Sequence, residues 1–139
     1  MYNDKFHTPE DFAEIINKAA KDLKKVKFDI IVFRGFSGAI VGSALALQLR
    51  KPWALVRKPG DSTHSGRLVE GDVEGDYIIV DDFIDSGVTV NEIIDVCRKG
   101  NCIGVYLYDR KWLRDWNDEE SRSRILHKIG VKVINWESA

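Results

Sequence analysis

The chain has 139 residues, of which 44% are hydrophobic and 31% are charged, and 21 basic against 22 acidic side chains give a formal net charge of -1. This length predicts one globular domain, 1–139, and leaves no room for a second domain of ordinary size. The near-neutral charge disfavours a nucleic-acid or membrane partner, no apolar run is long enough to span a membrane, and the N-terminus lacks a signal-peptide pattern, so we expect a cytoplasmic protein.

The first predicted element is a helix that begins after Thr8. Thr8 is a suitable N-cap, and Pro9 suits the first helical position. Apolar residues recur every three or four positions up to Leu23, which indicates one buried helix face. A strand over 28–33, a loop over 34–38 and a tightly packed helix of small apolar residues over 39–49 are predicted to follow.

The rest of the chain continues to alternate between strands and helices. We predict strands over 53–56, 77–80, 103–108 and 131–134, and helices over 90–97, closed by Gly100, and 119–128. The stretch 57–75 lacks apolar periodicity and predicts a long loop of the kind that often acts as a lid. Because the strands are apolar throughout, we expect an α/β fold with a mostly parallel sheet and helices on both faces.

The charged residues are unevenly placed along the chain. Between Leu68 and Cys97 there is no Lys or Arg but there are nine acidic residues, and basic residues flank this block. This arrangement suits a ligand that carries phosphate and a divalent metal. A set of solvated loops explains the charges as well, and on charge alone it is the preferred interpretation.

The most informative stretch is an apolar strand followed by Asp81, Asp82 and a turn of small residues. The free N–H groups of a helix that starts there, with the hydroxyls of Ser86 and Thr89, form a cup for a phosphate monoester. Two carboxylates only accept hydrogen bonds, so they suit a sugar diol or a hydrated magnesium ion. Together these groups indicate a ribose 5-phosphate site. The ordinary alternative is a strand-to-helix connection with a capping residue, although two carboxylates ending an apolar strand are costly without a function.

The residues 77–89 resemble the phosphoribosyl-diphosphate-binding motif of type I phosphoribosyltransferases, with Phe83 where the family usually has a small aliphatic residue. The resemblance implies a Rossmann-like core over about 28–108 and a reduced hood built from 1–27 and 109–139. It also implies transfer of 5-phosphoribose from phosphoribosyl diphosphate to a nitrogenous base, a purine being favoured, with release of pyrophosphate.

The resemblance assigns roles to the residues of this motif. Asp81 and Asp82 would hold the ribose hydroxyls and Mg²⁺, and Asp85 would serve as the general acid or base. A capping carboxylate is an equal alternative for Asp85. The 5-phosphate would lie in the loop formed by Asp85, Ser86, Gly87, Val88 and Thr89.

Three other segments correspond in position to the family's remaining subsites. The pyrophosphate would be bound by Arg34, Gly35, Phe36 and Ser37, in a turn that in the family often contains a strained non-proline cis peptide. A flexible lid would carry Lys58, His64, Ser65 and Arg67, although a solvated loop explains His64 as well. The base would be contacted by Arg110, Lys111 and Trp112, although Trp112 also fits a packed helix face.

The partners implied are phosphoribosyl diphosphate, a nucleobase and Mg²⁺, and a homodimer is the family expectation. A non-catalytic regulatory protein that binds phosphoribosyl diphosphate or a nucleotide stays open as an alternative. A serine hydrolase is a distant alternative, because 35–38 resembles a nucleophile elbow and Ser37, Asp82 and His127 follow a hydrolase order. Ala39, however, stands where the elbow pattern has Gly.

Overall fold

The computed structural model describes residues 7–58, 60, 68–109 and 118–136. The helices in that part of the chain are α1 Pro9–Leu23, α2 Gly35–Leu49, α3 Val88–Val96 and α4 Glu119–Ile129. The strands are β1 Ile30–Phe33, β2 Trp53–Val56, β3 Val69–Glu70, β4 Asp76–Asp81, β5 Asn101–Leu107 and β6 Lys132–Val133.

The strands form one six-stranded sheet in the order β3-β2-β1-β4-β5-β6. All neighbouring pairs are parallel except β2 and β3, which are antiparallel. On β1, Ile30 and Val32 pack with α3 and α4, whereas Ile31 and Phe33 pack with α1 and α2 on the other face. Both faces of the sheet are therefore buried, which confirms the predicted α/β fold and explains why the strands are apolar throughout.

α1 is capped and buries one apolar face as the sequence predicts, and α2 packs closely on the sheet. The Thr8 hydroxyl accepts a hydrogen bond from the N–H of Asp11 at 3.1 Å and so caps α1. Gly42 of α2 lies against the Phe33 ring, and a Cβ atom at that position would overlap the ring, so α2 needs glycine there to pack on β1. Within the described ranges, no helix combines the length and the apolar character needed to cross a bilayer.

Three predicted boundaries are wrong. The predicted loop 57–75 contains β3, whose Val69 pairs with Val56 of β2, so part of it is the edge of the sheet. α2 begins at Gly35, inside the predicted loop 34–38. α3 ends at Val96 with Cys97 as its C-cap, and Gly100 instead closes the next turn by donating its N–H to the Cys97 carbonyl at 3.0 Å.

Candidate functional site

Most of the predicted site residues meet at the carboxyl ends of β1 and β4. These strands are parallel neighbours, and the chain leaves β1 on one side for β2 and returns on the other side as β4. The crevice at such a reversal of strand order is where open α/β sheets bind ligands. A cavity of about 430 Å³ lies there, lined by Arg34, Gly35, Phe36, Ser37, Lys58 and the ten residues 81–90.

Asp81 and Asp82 are held in place by short hydrogen bonds. Asp81 Oδ1 accepts the N–H of Asp82 at 2.8 Å, and Asp82 Oδ1 accepts the N–H of Phe83 at 2.8 Å. The Ser37 hydroxyl donates to Asp82 Oδ2 at 3.5 Å, which links the first turn of α2 to the acidic pair. Asp82 is buried, so these donors compensate part of the cost of removing its carboxylate from water.

The surroundings of Asp81 favour its protonated form. Burial is the main reason that the pKa of Asp81 rises to about 8, and the hydrogen bond with Asp82 and its negative charge act in the same direction. The N–H of Asp82 and the charge of Arg34 oppose this rise in pKa. A divalent cation at the pair would therefore displace a proton when it binds.

The raised pKa of Asp81 predicts how stability changes with pH. In the unfolded chain this carboxyl ionises near pH 4, whereas in the folded chain it keeps its proton up to about pH 8. Unfolding between pH 4 and pH 8 therefore releases a proton from Asp81. The stability that this carboxyl contributes is fully present below pH 4, and it is lost as the pH rises through 8. Asp81→Asn is expected to be more stable than the unsubstituted protein by about 2–4 kcal/mol at pH 8 and by progressively less toward pH 5. Thermal unfolding at pH 5, 6, 7 and 8 measures this; a difference that does not change with pH would contradict it.

The turn between β4 and α3 has the geometry of an anion-binding helix start. Gly87 is the N-cap of α3 with φ +87°, a left-handed conformation that favours glycine. The Ser86 hydroxyl accepts the N–H of Val88 at 3.4 Å, and the first-turn N–H groups of a helix have no intrahelical carbonyl to bind. Asp85 lies exposed at this turn, two residues before the N-cap Gly87.

The predicted pyrophosphate loop is the first turn of α2. Arg34 is extended at φ -143° and serves as N-cap without a side-chain cap, and Gly35 takes φ +81°. Helix α2 can begin at Gly35 without losing hydrogen bonds, since the first N–H groups of any helix lack an intrahelical carbonyl partner. No cis peptide bond occurs in the described ranges, so the cis peptide implied by the resemblance is wrong for this turn. The Phe36 side chain is 78% exposed beside the cavity.

Arg34 is buried and already holds an anionic partner inside the protein. Its side chain is only 5% exposed, and its Nη1 donates to Glu92 Oε1 at 2.8 Å. Its Nη2 donates to the carbonyl oxygen of Arg57 at 3.3 Å. Its Nε is buried without a hydrogen-bond partner among the described residues. The sequence placed Arg34 near the ligand but missed Glu92, and only the need of a buried cation for a counter-charge could have suggested it.

Tyr108 lies beside the acidic pair, where its N–H donates to the Asp81 carbonyl at 3.0 Å, and the sequence did not indicate this position. Burial raises the pKa of its hydroxyl, Ser37 opposes this rise, and the charges of Asp82 and Asp81 add to it. The hydroxyl is buried and has no hydrogen-bond partner of proper geometry within the described part of the chain. Tyr108 follows β5, whose Leu107 pairs with Asp81, and this cross-strand pairing was the available signal.

Several predicted residues cannot be placed at the site. The lid residues His64, Ser65 and Arg67 and the base-binding residues Arg110, Lys111 and Trp112 lie outside the described residues. Of the predicted lid, Lys58 alone lies in the described ranges, and it lines the cavity.

The serine hydrolase alternative gains no support from the geometry. Ser37 donates to a carboxylate, Asp82, whereas a nucleophilic serine of that class needs a basic group such as imidazole. His127 lies on α4 and is not among the residues that line the cavity.

Comparisons with known proteins give relatives of two kinds, adenine and orotate phosphoribosyltransferases. No family model matches the chain. An adenine phosphoribosyltransferase of Pseudothermotoga lettingae is 34% identical over 133 residues, which cover 78% of this chain and 78% of that protein. An orotate phosphoribosyltransferase of Saccharolobus solfataricus is 28% identical over 127 residues, which cover 88% of this chain and 61% of that protein. The chain therefore spans less than two thirds of the length of that orotate phosphoribosyltransferase. The same holds for three other orotate phosphoribosyltransferases, of which it covers 63%, 59% and 62%.

Solved structures agree with the sequence relatives. An adenine phosphoribosyltransferase from Thermoanaerobacter pseudethanolicus superposes with a TM-score of 0.59 at 25% identity and covers 77% of each chain. An orotate phosphoribosyltransferase from Aeropyrum pernix has a TM-score of 0.61 at 20% identity and covers 74% of this chain and 61% of that one. At that identity the second likeness supports the fold alone.

Proposed function

We propose that this chain, which belongs to the type I phosphoribosyltransferase family, transfers 5-phosphoribose from phosphoribosyl diphosphate to a purine base and releases pyrophosphate. The observation that carries the proposal is the meeting of three segments in one cavity: the acidic pair, the α3 turn and the Arg34 turn. These suit the three parts of the donor, which are a diol, a phosphate monoester and a diphosphate. The likeness to an adenine phosphoribosyltransferase favours a purine acceptor.

The α3 turn would bind the 5-phosphate. Its first N–H groups and the positive end of the helix dipole attract an anion, and the Ser86 and Thr89 hydroxyls can add hydrogen bonds. Gly87 and Val88 bring the backbone close to the ligand. The phosphate would then fix the ribosyl group above the acidic pair, and this orientation lowers the entropic part of the barrier to transfer.

The acidic pair suits both the ribose hydroxyls and a magnesium ion. No group of three or more His, Cys, Asp or Glu side chains is placed to hold a metal within the described part of the chain. Magnesium is commonly bound by one or two carboxylates that share it with water and substrate phosphates, so Asp81 and Asp82 fit it. When bound, the ion would neutralise charge on the departing diphosphate.

The Arg34 turn would bind the diphosphate. Gly35, Phe36 and Ser37 lie in the first turn of α2, where backbone N–H groups face an anion, and the guanidinium of Arg34 lies beside them. Lid roles for Lys58, His64, Ser65 and Arg67, and base contacts from Arg110, Lys111 and Trp112 in the hood segment 109–139, remain proposals from the sequence. A homodimer in the cytoplasm completes the proposal.

The direct test is turnover with a panel of bases. The protein is incubated with Mg²⁺, phosphoribosyl diphosphate and adenine, hypoxanthine, guanine or orotate, and nucleotide and pyrophosphate are measured together. Nucleotide formation with a purine supports the proposal. Nucleotide formation with orotate alone would show that the acceptor is orotate and not a purine. Binding of the donor without turnover would favour the regulatory alternative, and absence of binding would contradict both.

Asp85→Asn is expected to slow transfer about 100-fold and to change the affinity for phosphoribosyl diphosphate by less than about threefold. Asp85 is exposed at the cavity, where its carboxyl group can exchange a proton with the base. The measurements are single-turnover rates and donor affinity by calorimetry. Asp95→Asn, which neutralises an exposed carboxylate on α3, is the control, and equal losses in rate and affinity for Asp85→Asn would contradict an acid or base role.

A further inference from the structure

The ion pair between Arg34 and Glu92 joins the two anion-binding segments of the cavity. Arg34 is the N-cap of α2, and Glu92 lies on α3 one turn after its start. The two charged atoms are 2.8 Å apart although the residues are 58 positions apart in the sequence. The pair is asymmetric, because the Arg34 side chain is 5% exposed whereas that of Glu92 is 42% exposed.

The hydrogen bonds of Arg34 limit what it can offer to a ligand. Nη1 is used by Glu92 and Nη2 by the Arg57 carbonyl, while Nε is buried without a partner among the described residues. A guanidinium binds phosphate most strongly through two parallel N–H donors. Because Nε is buried, that pair here would be Nη1 and Nη2. Arg34 lines the cavity and can present that pair of donors only when one present contact is released. Glu92, which is half-exposed, can move to water at low cost, whereas the Arg57 carbonyl is part of the backbone.

We propose that Glu92 is an internal competitor for the diphosphate: its carboxylate occupies the Arg34 guanidinium in the empty site and lowers the affinity for the incoming anion. This inference rests on the proposed function, since it assumes that Arg34 contacts the diphosphate. The arrangement compensates the buried charge of Arg34 while the site is empty. It also limits retention of the product, because Glu92 returns to Arg34 as pyrophosphate leaves.

The test is the affinity for pyrophosphate, measured by calorimetry with Mg²⁺ for four variants and the unsubstituted protein. Glu92→Gln keeps an oxygen that can accept from Nη1 but removes the charge, and it is expected to bind pyrophosphate about three- to tenfold more tightly. Asp95→Asn removes one exposed charge from the same helix and is expected to change the affinity by less than twofold. Arg34→Gln, alone and combined with Glu92→Gln, completes a double-mutant cycle. In the Arg34→Gln background, Glu92→Gln is expected to raise the affinity for pyrophosphate by less than twofold.

The outcomes separate this inference from the proposed function. If the unsubstituted protein binds pyrophosphate and forms nucleotide but Glu92→Gln binds no more tightly, the competitor role is wrong and the function stands. An equal gain with and without Arg34 would show a general charge effect and also overturns the role. If the unsubstituted protein neither binds pyrophosphate nor forms nucleotide, both fail. Thermal unfolding of each variant excludes a misfolded site as the cause of any loss.

Discussion

Replacing both Asp81 and Asp82 by Asn is expected to weaken binding of phosphoribosyl diphosphate about 100-fold in the presence of Mg²⁺. Each carboxylate can make a charge-assisted hydrogen bond to a ribose hydroxyl, and losing two such bonds of about 1.5 kcal/mol each corresponds to that factor. The two Asn side chains carry no charge, so they would also bind Mg²⁺ more weakly than the two carboxylates. Calorimetric titration with the donor measures the change directly.

The same double substitution is expected to raise the melting temperature at pH 8. Asp81 carries a raised pKa of about 8 because ionisation is opposed by burial and by Asp82, and a neutral amide avoids that cost. Loss of binding with a gain of stability excludes unfolding as the explanation. Asp72→Asn with Asp95→Asn is the matched control, since it removes two exposed carboxylates that do not line the cavity. Unchanged donor affinity in the Asp81 and Asp82 variant would refute the proposed ribose site.

The acidic pair was predictable because its signal is local. An apolar strand that ends in two carboxylates and a turn of small residues specifies its own backbone, and the structure places Asp81 and Asp82 at the end of β4 as expected. The mostly parallel sheet was predictable for a related reason, since strands such as Ile30–Phe33 are apolar on both faces and must be covered on both.

The features that the sequence did not reveal depend on contacts between distant segments. β3 is two residues long and exists because Val69 and Glu70 pair with β2, so no periodic pattern marks it. The Arg34 and Glu92 pair joins positions 58 apart, and neither residue is unusual where it stands. Local charge placed Arg34 beside the diphosphate subsite, but only the folded chain shows that its donors already have partners.

Gly87→Ala is expected to destabilise the fold by about 2–4 kcal/mol and to weaken donor binding about tenfold. The φ angle of +87° is strained for alanine, and its Cβ would lie 2.9 Å from Cγ2 of Ile129 on α4. Relief of that contact must move either α4 or the turn, and moving the turn displaces the N–H groups proposed to bind the 5-phosphate.

Gly130→Ala separates these effects, because Gly130 also has a positive φ, +72°, but a Cβ there would meet nothing within 4 Å. It is expected to cost about 1 kcal/mol and to leave donor affinity unchanged. Denaturant unfolding and calorimetric titration of both variants make the comparison. If Gly87→Ala lost no more stability and affinity than Gly130→Ala, the packing of α4 against the turn would not support the phosphate subsite. The larger loss at Gly87 is expected because the absence of a Cβ atom there meets two requirements. It leaves room for Ile129, and it keeps the start of α3 open to an anion.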